Sequence, residues 1–327
     1  MSGAERSTGH PSKPHVLVLG DLMLDVVLVA GTTLESGTDV PGRVEIRQGG
    51  SAASTARWLG RLGVATQLVC SIGRDGAGRS LVIELERDGV RVHARRIAGS
   101  RTGRIGVLVA PGGERSFVAD RRAADLLDPD DVREDWFEHV DLVHLPIYSL
   151  LGEPLGRAGR RAIQLARAHG ALVSLDLASI GPMLASGRRS ARELVGATHA
   201  DVLFATEAEA QALLGRHAPD GLLEFAEVVV IKQGERGARV VARHSAPSSD
   251  ADSQPVPPLA FDVATPSIVA SDTTGAGDAF DAGFIAGWLG ARAAGRPLAD
   301  ALHRATMSGH RTAARHLGAP RMELPAG

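Results

Sequence analysis

Apolar and polar positions along this chain separate into distinct runs, and the first run already sets the structural class. His15-Val-Leu-Val-Leu-Gly20 is continuously apolar and ends in glycine, the pattern of a parallel strand buried on both faces. Further apolar runs at 66–71, 141–145, 172–177, 202–205 and 228–232 predict strands, and segments of helical period at 51–62, 78–88, 156–169, 190–195 and 207–214 predict the helices between them. Strand and helix alternating through short turns predicts an α/β fold, a mainly parallel central sheet between two helix layers.

Two stretches break that rhythm. Residues 26–47 and 103–120 alternate apolar with polar positions, and the second carries Ala110-Pro-Gly-Gly-Glu114, a hairpin signal. They predict a small antiparallel sheet standing off the main body, placed to cover a ligand at the strand C-termini; plain edge decoration is the alternative. Residues 245–258, rich in Ser, Pro and Asp, read as a surface loop. Residues 1–13 read as a disordered polar tail ahead of one domain spanning 14–327.

Composition narrows the function. With 44% apolar and 23% charged residues, the 327-residue chain has enough material for a full core. Its 36 basic and 38 acidic residues leave a net charge of −2, so no strong field draws it to nucleic acid or an anionic membrane. No apolar run approaches the ~18 residues of a membrane span, and no secretory signal opens the chain. A cytoplasmic protein with a small-molecule partner is expected. The single cysteine, Cys70, excludes a disulfide framework and reads as a buried strand residue. Lysine occurs only at Lys13 and Lys232 among 36 basic residues, which singles out Lys232.

The segment Ser271-Asp-Thr-Thr-Gly-Ala-Gly-Asp-Ala-Phe280 carries the most chemistry. It is a glycine-rich turn opening a helix predicted over 279–289. In Gly275, Ala276 and Gly277 small side chains let an anion approach the backbone, and the helix's first N–H groups are free to bind it. Asp278 falls in that first turn, placed to take a proton from an attacking hydroxyl. A helix N-terminus is expected to lower its pKa, which phosphoryl transfer tolerates because proton removal comes late. The plain alternative is an ordinary first-turn acid. Small residues at Ala279, Ala282, Gly283, Ala286, Gly287 and Gly290 predict close packing of this helix on a neighbour. Asp272, Thr273 and Thr274 offer oxygen ligands for a monovalent or divalent cation, or turn caps. His139 and His144 suggest a metal-dependent hydrolase only weakly, because no third ligand has compatible spacing.

Asp272-Thr-Thr-Gly-Ala-Gly-Asp278, together with Gly49-Gly-Ser-Ala-Ala-Ser54, resembles the two signatures of the ribokinase-like, PfkB-type carbohydrate kinases over roughly 15–320. A Walker-type GxxxxGK[ST] is absent from the sequence, so a P-loop is excluded. The resemblance implies a three-layer fold with a β lid over the sugar, and ATP-dependent transfer to a CH2OH group of a sugar or sugar-like alcohol. It also implies Mg2+ and leaves room for K+ at Asp272 and Thr274. It assigns Asp278 as base, and Gly275, Ala276 and Gly277 as anion hole. Asp25, Gly49, Gly50 and Ser54 would hold the sugar. Lys232, Gly234 and Gly237 would lie along ATP. Glu209, in Thr206-Glu-Ala-Glu209, would act on Mg2+ through water, with Thr206 beside it. Plain alternatives are a turn acid for Asp25, a solvated helix charge for Glu209 and a strand-end residue for Lys232.

Departures from the family pattern bear on substrate. Thr206 and Ser54 stand where asparagines are usual. Leu175-Asp176-Leu177-Ala178 lacks the Asn and Arg that ketodeoxygluconate kinases use, which argues against an acidic sugar. A lone tyrosine, Tyr148, gives little to stack a nucleoside base, although a nucleoside kinase and a non-catalytic sugar or nucleotide sensor stay open. Arg43, Arg104 and Arg121 on the lid offer substrate contacts or plain decoration of an exposed sheet, and the second is the preferred reading. The lid's apolar positions would allow a homodimer.

Overall fold

The structure is a computed structural model that describes residues 13–112, 114–215, 219–243, 257–266, 272–319 and 323–324. All but the last residue of the expected N-terminal tail and nearly all of the 245–258 loop lie outside them.

The chain begins with β1 (His15–Leu19), then β2 (Met23–Ala30), β3 (Gly42–Gly49), α1 (Ser51–Arg61), β4 (Ala65–Gly73), α2 (Gly76–Arg87) and β5 (Val90–Ile97). It continues through β6 (Arg104–Val109), β7 (Arg115–Asp120), β8 (Leu142–Pro146), α3 (Leu155–Ala168), β9 (Leu172–Asp176), α4 (Ile180–Leu184) and α5 (Arg188–Gly196). The remainder is β10 (Ala200–Thr206), α6 (Glu207–Leu214), β11 (Ala226–Lys232), β12 (Ala238–Ala242), β13 (Leu259–Val263), α7 (Ala276–Ala293) and α8 (Leu298–Gly318).

Among the described residues a nine-stranded sheet runs β13-β12-β11-β10-β9-β8-β1-β4-β5. It is parallel from β11 to β5, and only the β11-β12 and β12-β13 pairings are antiparallel. Alternate strand residues feed two cores. Val16, Val18, Leu68, Cys70 and Phe204 pack beneath α1, α2, α7 and α8. Leu17, Leu19, Val69, Val143 and Leu203 pack beneath α3, α5 and α6 on the other face. This is the three-layer arrangement expected, with Cys70 buried in β4.

The chain moves from β1 to β4 on one side and later to β8 on the other, so strand order reverses beside β1. Open α/β sheets bind ligands at such a point, outside the strand C-termini. The turn after β3 calls for glycine there: Gly50 has φ +97°, and a Cβ would press on the Asp21 carbonyl.

The second sheet, β3-β2-β6-β7, stands apart. Both of its hairpins are antiparallel, but the seam joining β2 to β6 runs parallel, because β6 enters from the main sheet in the same direction as β2. The pleat divides its residues. Asp25, Arg47, Glu45 and Arg115 share one face, and Leu28, Val44, Ile46 and Val118 the other. Strands β5, β12 and β13 and helix α8 were not foreseen. α8 fills the groove of α7's small-residue stripe, where a Cβ on Gly283 would overlap Thr312 Oγ1 and one on Gly287 would press on Ser308.

Candidate active site

Five strands of the parallel run deliver a site residue at or just past the C-terminal end. β1 leads to Asp21, β8 to Tyr148, β9 ends on Asp176, β10 on Thr206 and β11 on Lys232. The start of α7 meets this edge. Gly275 is left-handed at φ +78° and serves as N-cap, and no side chain caps the helix. The N–H groups of Gly277 and Asp278 are thus left for a ligand or water.

Asp278 sits deep at this helix start yet keeps an accessible face. Ser51 Oγ, the first residue of α1, donates to its Oδ1 at 2.7 Å. Burial pushes its carboxyl up to about 7, against hydrogen bonds from Ser51 and Ser54 and the charge of Lys232. The expected lowering by the helix start is therefore reversed, because desolvation outweighs the partial charge of the first turn. A group titrating there is suited to proton transfer near neutrality. Ser54, assigned to the sugar by resemblance, lies against Asp278 and Gly275.

Asp25 faces the same cleft from β2. A Cβ on Gly49 would overlap its carboxyl, so the double glycine is first of all room for Asp25 and the Asp21 backbone. Asp25 Oδ1 is buried without a hydrogen-bond partner. Burial, then the charge of Asp21, pushes Asp25 up to about 7, against Arg47. Asp21 was not singled out in the sequence. Its Oδ1 accepts from Ala52 N at 3.1 Å and its Oδ2 pairs with Arg121 at 3.1 Å. Arg121 corrects the surface reading: it is mostly buried, bonds Asp125 as well, and stacks 4.9 Å over the Tyr148 ring.

Lys232 lies beneath the helix start. Its Nζ is held by Asp176 Oδ1 at 3.0 Å and Asp281 Oδ2 at 3.1 Å, and a Cβ on Gly277 would stand 3.4 Å from it. Burial opposes its charge, but Asp176, Asp281 and Glu209 outweigh it and hold its pKa above the usual lysine value. Its ammonium is thus committed to carboxylates, and the bare Gly277 is what brings that charge close under the turn. Thr206 and Glu209 form a reciprocal cap on α6: Thr206 Oγ1 accepts from Glu209 N at 3.2 Å, and Glu209 Oε2 from Thr206 N at 2.7 Å. Burial, then Asp176, raises the Glu209 pKa. Gly234 is exposed in the turn after β11. Gly237, at φ +102°, passes so close to β13 that a Cβ would overlap the Val263 carbonyl.

Asp272 and Thr274 do not fit a cation as they stand. Asp272 Oδ1 accepts from Thr274 N at 2.9 Å and pairs with Arg115 at 3.0 Å, while Oδ2 accepts from Arg47 at 2.8 Å. The carbonyl of Thr274 accepts from His316 Nε2 at 2.6 Å, and His316 Nδ1 accepts from Trp58 Nε1 at 3.2 Å. A carbonyl only accepts and an indole N–H only donates, which fixes the tautomer of His316. The turn-capping alternative describes these residues. His144 is a core residue bonded to Ser174 at 2.9 Å, its pKa pulled down to about 4 by burial, and no cluster of three metal-binding groups occurs among the described residues.

The structure thus brings Asp278, Gly275–Gly277, Ser54, Asp25, Gly49 and Gly50 to one cleft, with Lys232, Thr206 and Glu209 along its floor. Asp21, Ser51, Asp281, Arg47, Arg115 and His316 complete it. Of these only Ser51 carried a local signal, inside the double-glycine signature; the others are brought in by tertiary packing.

Residues 13–321 match the profile of pfkB family carbohydrate kinase. The chain is 33% identical to an ATP-dependent ribose-1-phosphate kinase of Halopiger xanaduensis, over 84% of each chain. It is 28% identical to a probable fructokinase-4 of Arabidopsis thaliana, over 82% of this chain and 80% of that one. Its fold is similar to the crystal structure of adenosine kinase from Sinorhizobium meliloti, with a TM-score of 0.78 at 22% identity, covering 96% and 98% of the two chains. With that match running nearly end to end, this chain belongs to the pfkB family of carbohydrate kinases.

Proposed function

We propose that the protein moves the γ-phosphoryl group of ATP onto a hydroxyl, a CH2OH group, of a sugar or sugar-like alcohol. The observation that carries this reading is the Asp278 carboxyl, oriented by Ser51 at 2.7 Å, beside an uncapped, glycine-rich helix start. Asp278 takes the acceptor's proton as its oxygen bonds to the γ-phosphorus and the bond to the ADP oxygen breaks. The N–H groups of Gly277 and Asp278 hold the phosphoryl oxygens, and Lys232 beneath Gly277 offsets their charge.

Asp25, with an unpaired buried oxygen, accepts from an acceptor hydroxyl. The small sheet then acts as the lid that excludes water. Mg2+ arriving with the nucleotide needs only one or two carboxylates beside phosphate and water, and Glu209 and Asp176 are the acids at that end. Two copies could pair through the lid's outer face, where Leu28, Val44, Ile46 and Val118 are exposed.

The test is ADP release over a panel of pentoses, hexoses, their phosphates and nucleosides. One strongly preferred sugar supports the reading; a preferred nucleoside moves it to a nucleoside kinase. Binding without ADP from any acceptor overturns it in favour of a sensor.

A further inference from the structure

The lid reaches the phosphate turn through two arginines. Arg47 on β3 and Arg115 on β7 come from opposite edges of the small sheet, from one face of its pleat, and converge on Asp272. Arg47 is braced on its far side by Glu45, whose carboxylate accepts from its Nε at 3.0 Å. Arg115 Nη1 also lies 3.4 Å from Thr273 Oγ1. All three side chains of the Asp272 cluster are largely withdrawn from water, at 18%, 16% and 28% exposure for Arg47, Arg115 and Asp272. Guanidinium keeps its charge at any working pH and offers donors in a fixed fork.

Asp272 begins the turn that ends in Gly275–Gly277, so whatever holds its carboxylate sets that backbone. Around that turn both Asp272 carboxylate oxygens accept from donors, two of them guanidinium cations, and the Thr274 carbonyl accepts from His316, so a cation there would meet two fixed positive charges.

We propose that Arg47 and Arg115 are positioning residues that hold the phosphate turn through Asp272, so that turnover needs no alkali cation and lid closure itself assembles the turn. This rests on the reading of Gly275–Gly277 as the phosphate cradle. Each arginine supplies a charge-assisted bond to one Asp272 oxygen, and the pair spans both edges of the lid. A lid that opens withdraws both, and the turn loses its anchor at the same moment the cleft admits water.

The test compares kcat and the KM for magnesium-ATP in tetramethylammonium and potassium salts at equal ionic strength, for the wild type and for Arg47→Gln and Arg115→Gln. The wild type is expected to differ by less than about twofold between the salts. Each variant is expected to lose about tenfold or more in kcat, the scale of one charge-assisted bond, and to regain part of it in potassium, which can then occupy the vacated carboxylate oxygen. Arg115→Lys, which keeps the charge, should retain more activity than Arg115→Gln. A wild type that requires potassium overturns the proposal, as do variants that keep the full rate or lose it without responding to potassium. If no acceptor is turned over at all, the kinase reading fails on its own. Calorimetric ATP affinity of the same proteins in the two salts then decides the arginine proposal by the same criteria.

Discussion

Ser51 and Asp278 stand 227 positions apart in sequence and share a 2.7 Å hydrogen bond, Oγ to Oδ1, where α1 and α7 meet. That bond joins the family's two signatures. It orients the carboxylate and favours its ionised form, while burial favours the neutral one. Asp278→Asn is expected to lower kcat by about two to four orders of magnitude, the usual cost of a lost proton acceptor. ATP affinity by calorimetry should stay close to wild type.

The pH profile follows from the same balance. Since the acid must lose its proton to work, kcat/KM for the acceptor should fall as pH drops through about 7, the value to which burial raises Asp278. Asp25, raised similarly and near it, makes the inflection a property of the pair. Ser51→Ala, by removing a bond to the ionised form, should move the inflection to higher pH. A profile unchanged in that variant would count against the assignment.

Stability changes in the opposite sense. An aspartate whose pKa rises on folding binds protons in the folded state, so its contribution is present at low pH and is lost as pH rises through the folded value. Asp278→Asn is therefore expected to raise the melting temperature relative to wild type at pH 8, with the difference shrinking toward pH 5. Thermal scans of the two ligand-free proteins across that range check it.

Lys232→Met leaves Asp176 and Asp281 facing each other with no counter-charge, both buried. Stripping one partner from such a buried group costs about 3–5 kcal/mol, measurable by urea unfolding. The double variant Lys232→Met with Asp281→Leu should recover much of the loss.

Gly283→Val places a side chain into Thr312 and the Ser308 carbonyl of α8. A loss of about 1–3 kcal/mol is expected from this overpacking, read by denaturant unfolding. Gly49→Ala instead displaces the Asp25 carboxyl and should raise the acceptor KM while leaving the KM for ATP near wild type.

Strands buried on both faces were easy to read, because apolar runs such as 15–20 and 228–232 have few other meanings. The edge strands were not. Val90–Ile97 carries four charged or imidazole side chains on a half-covered edge, and β12 and β13 flank a segment that obscured their hairpin. α8, with arginines and histidines threaded through its apolar stripe, lacks the continuous run that marked the others.

In the site, the glycine turn and Asp278 were legible since their chemistry is local. The direction of the Asp278 pKa was not, because desolvation depends on what α1, β9 and β11 stack around it. Arg121 was misread for a related reason: its partner Asp21 follows a different strand, a hundred positions away. Lys232 was noticed for its rarity, but only the fold brings it to Asp176 and Asp281.

His316 occupies the last turn of α8, almost at the end of the described chain, and still grips the Thr274 carbonyl. Ending the chain just before His316 would remove twelve residues and the Leu324 N–H bond to the Ile46 carbonyl of β3, yet leave every strand and nearly all of the core in place. Such a shortened protein should purify normally and melt near the usual temperature, yet handle nucleotide poorly, so trimming or fusion at this terminus is an experiment on the phosphate turn rather than a neutral edit.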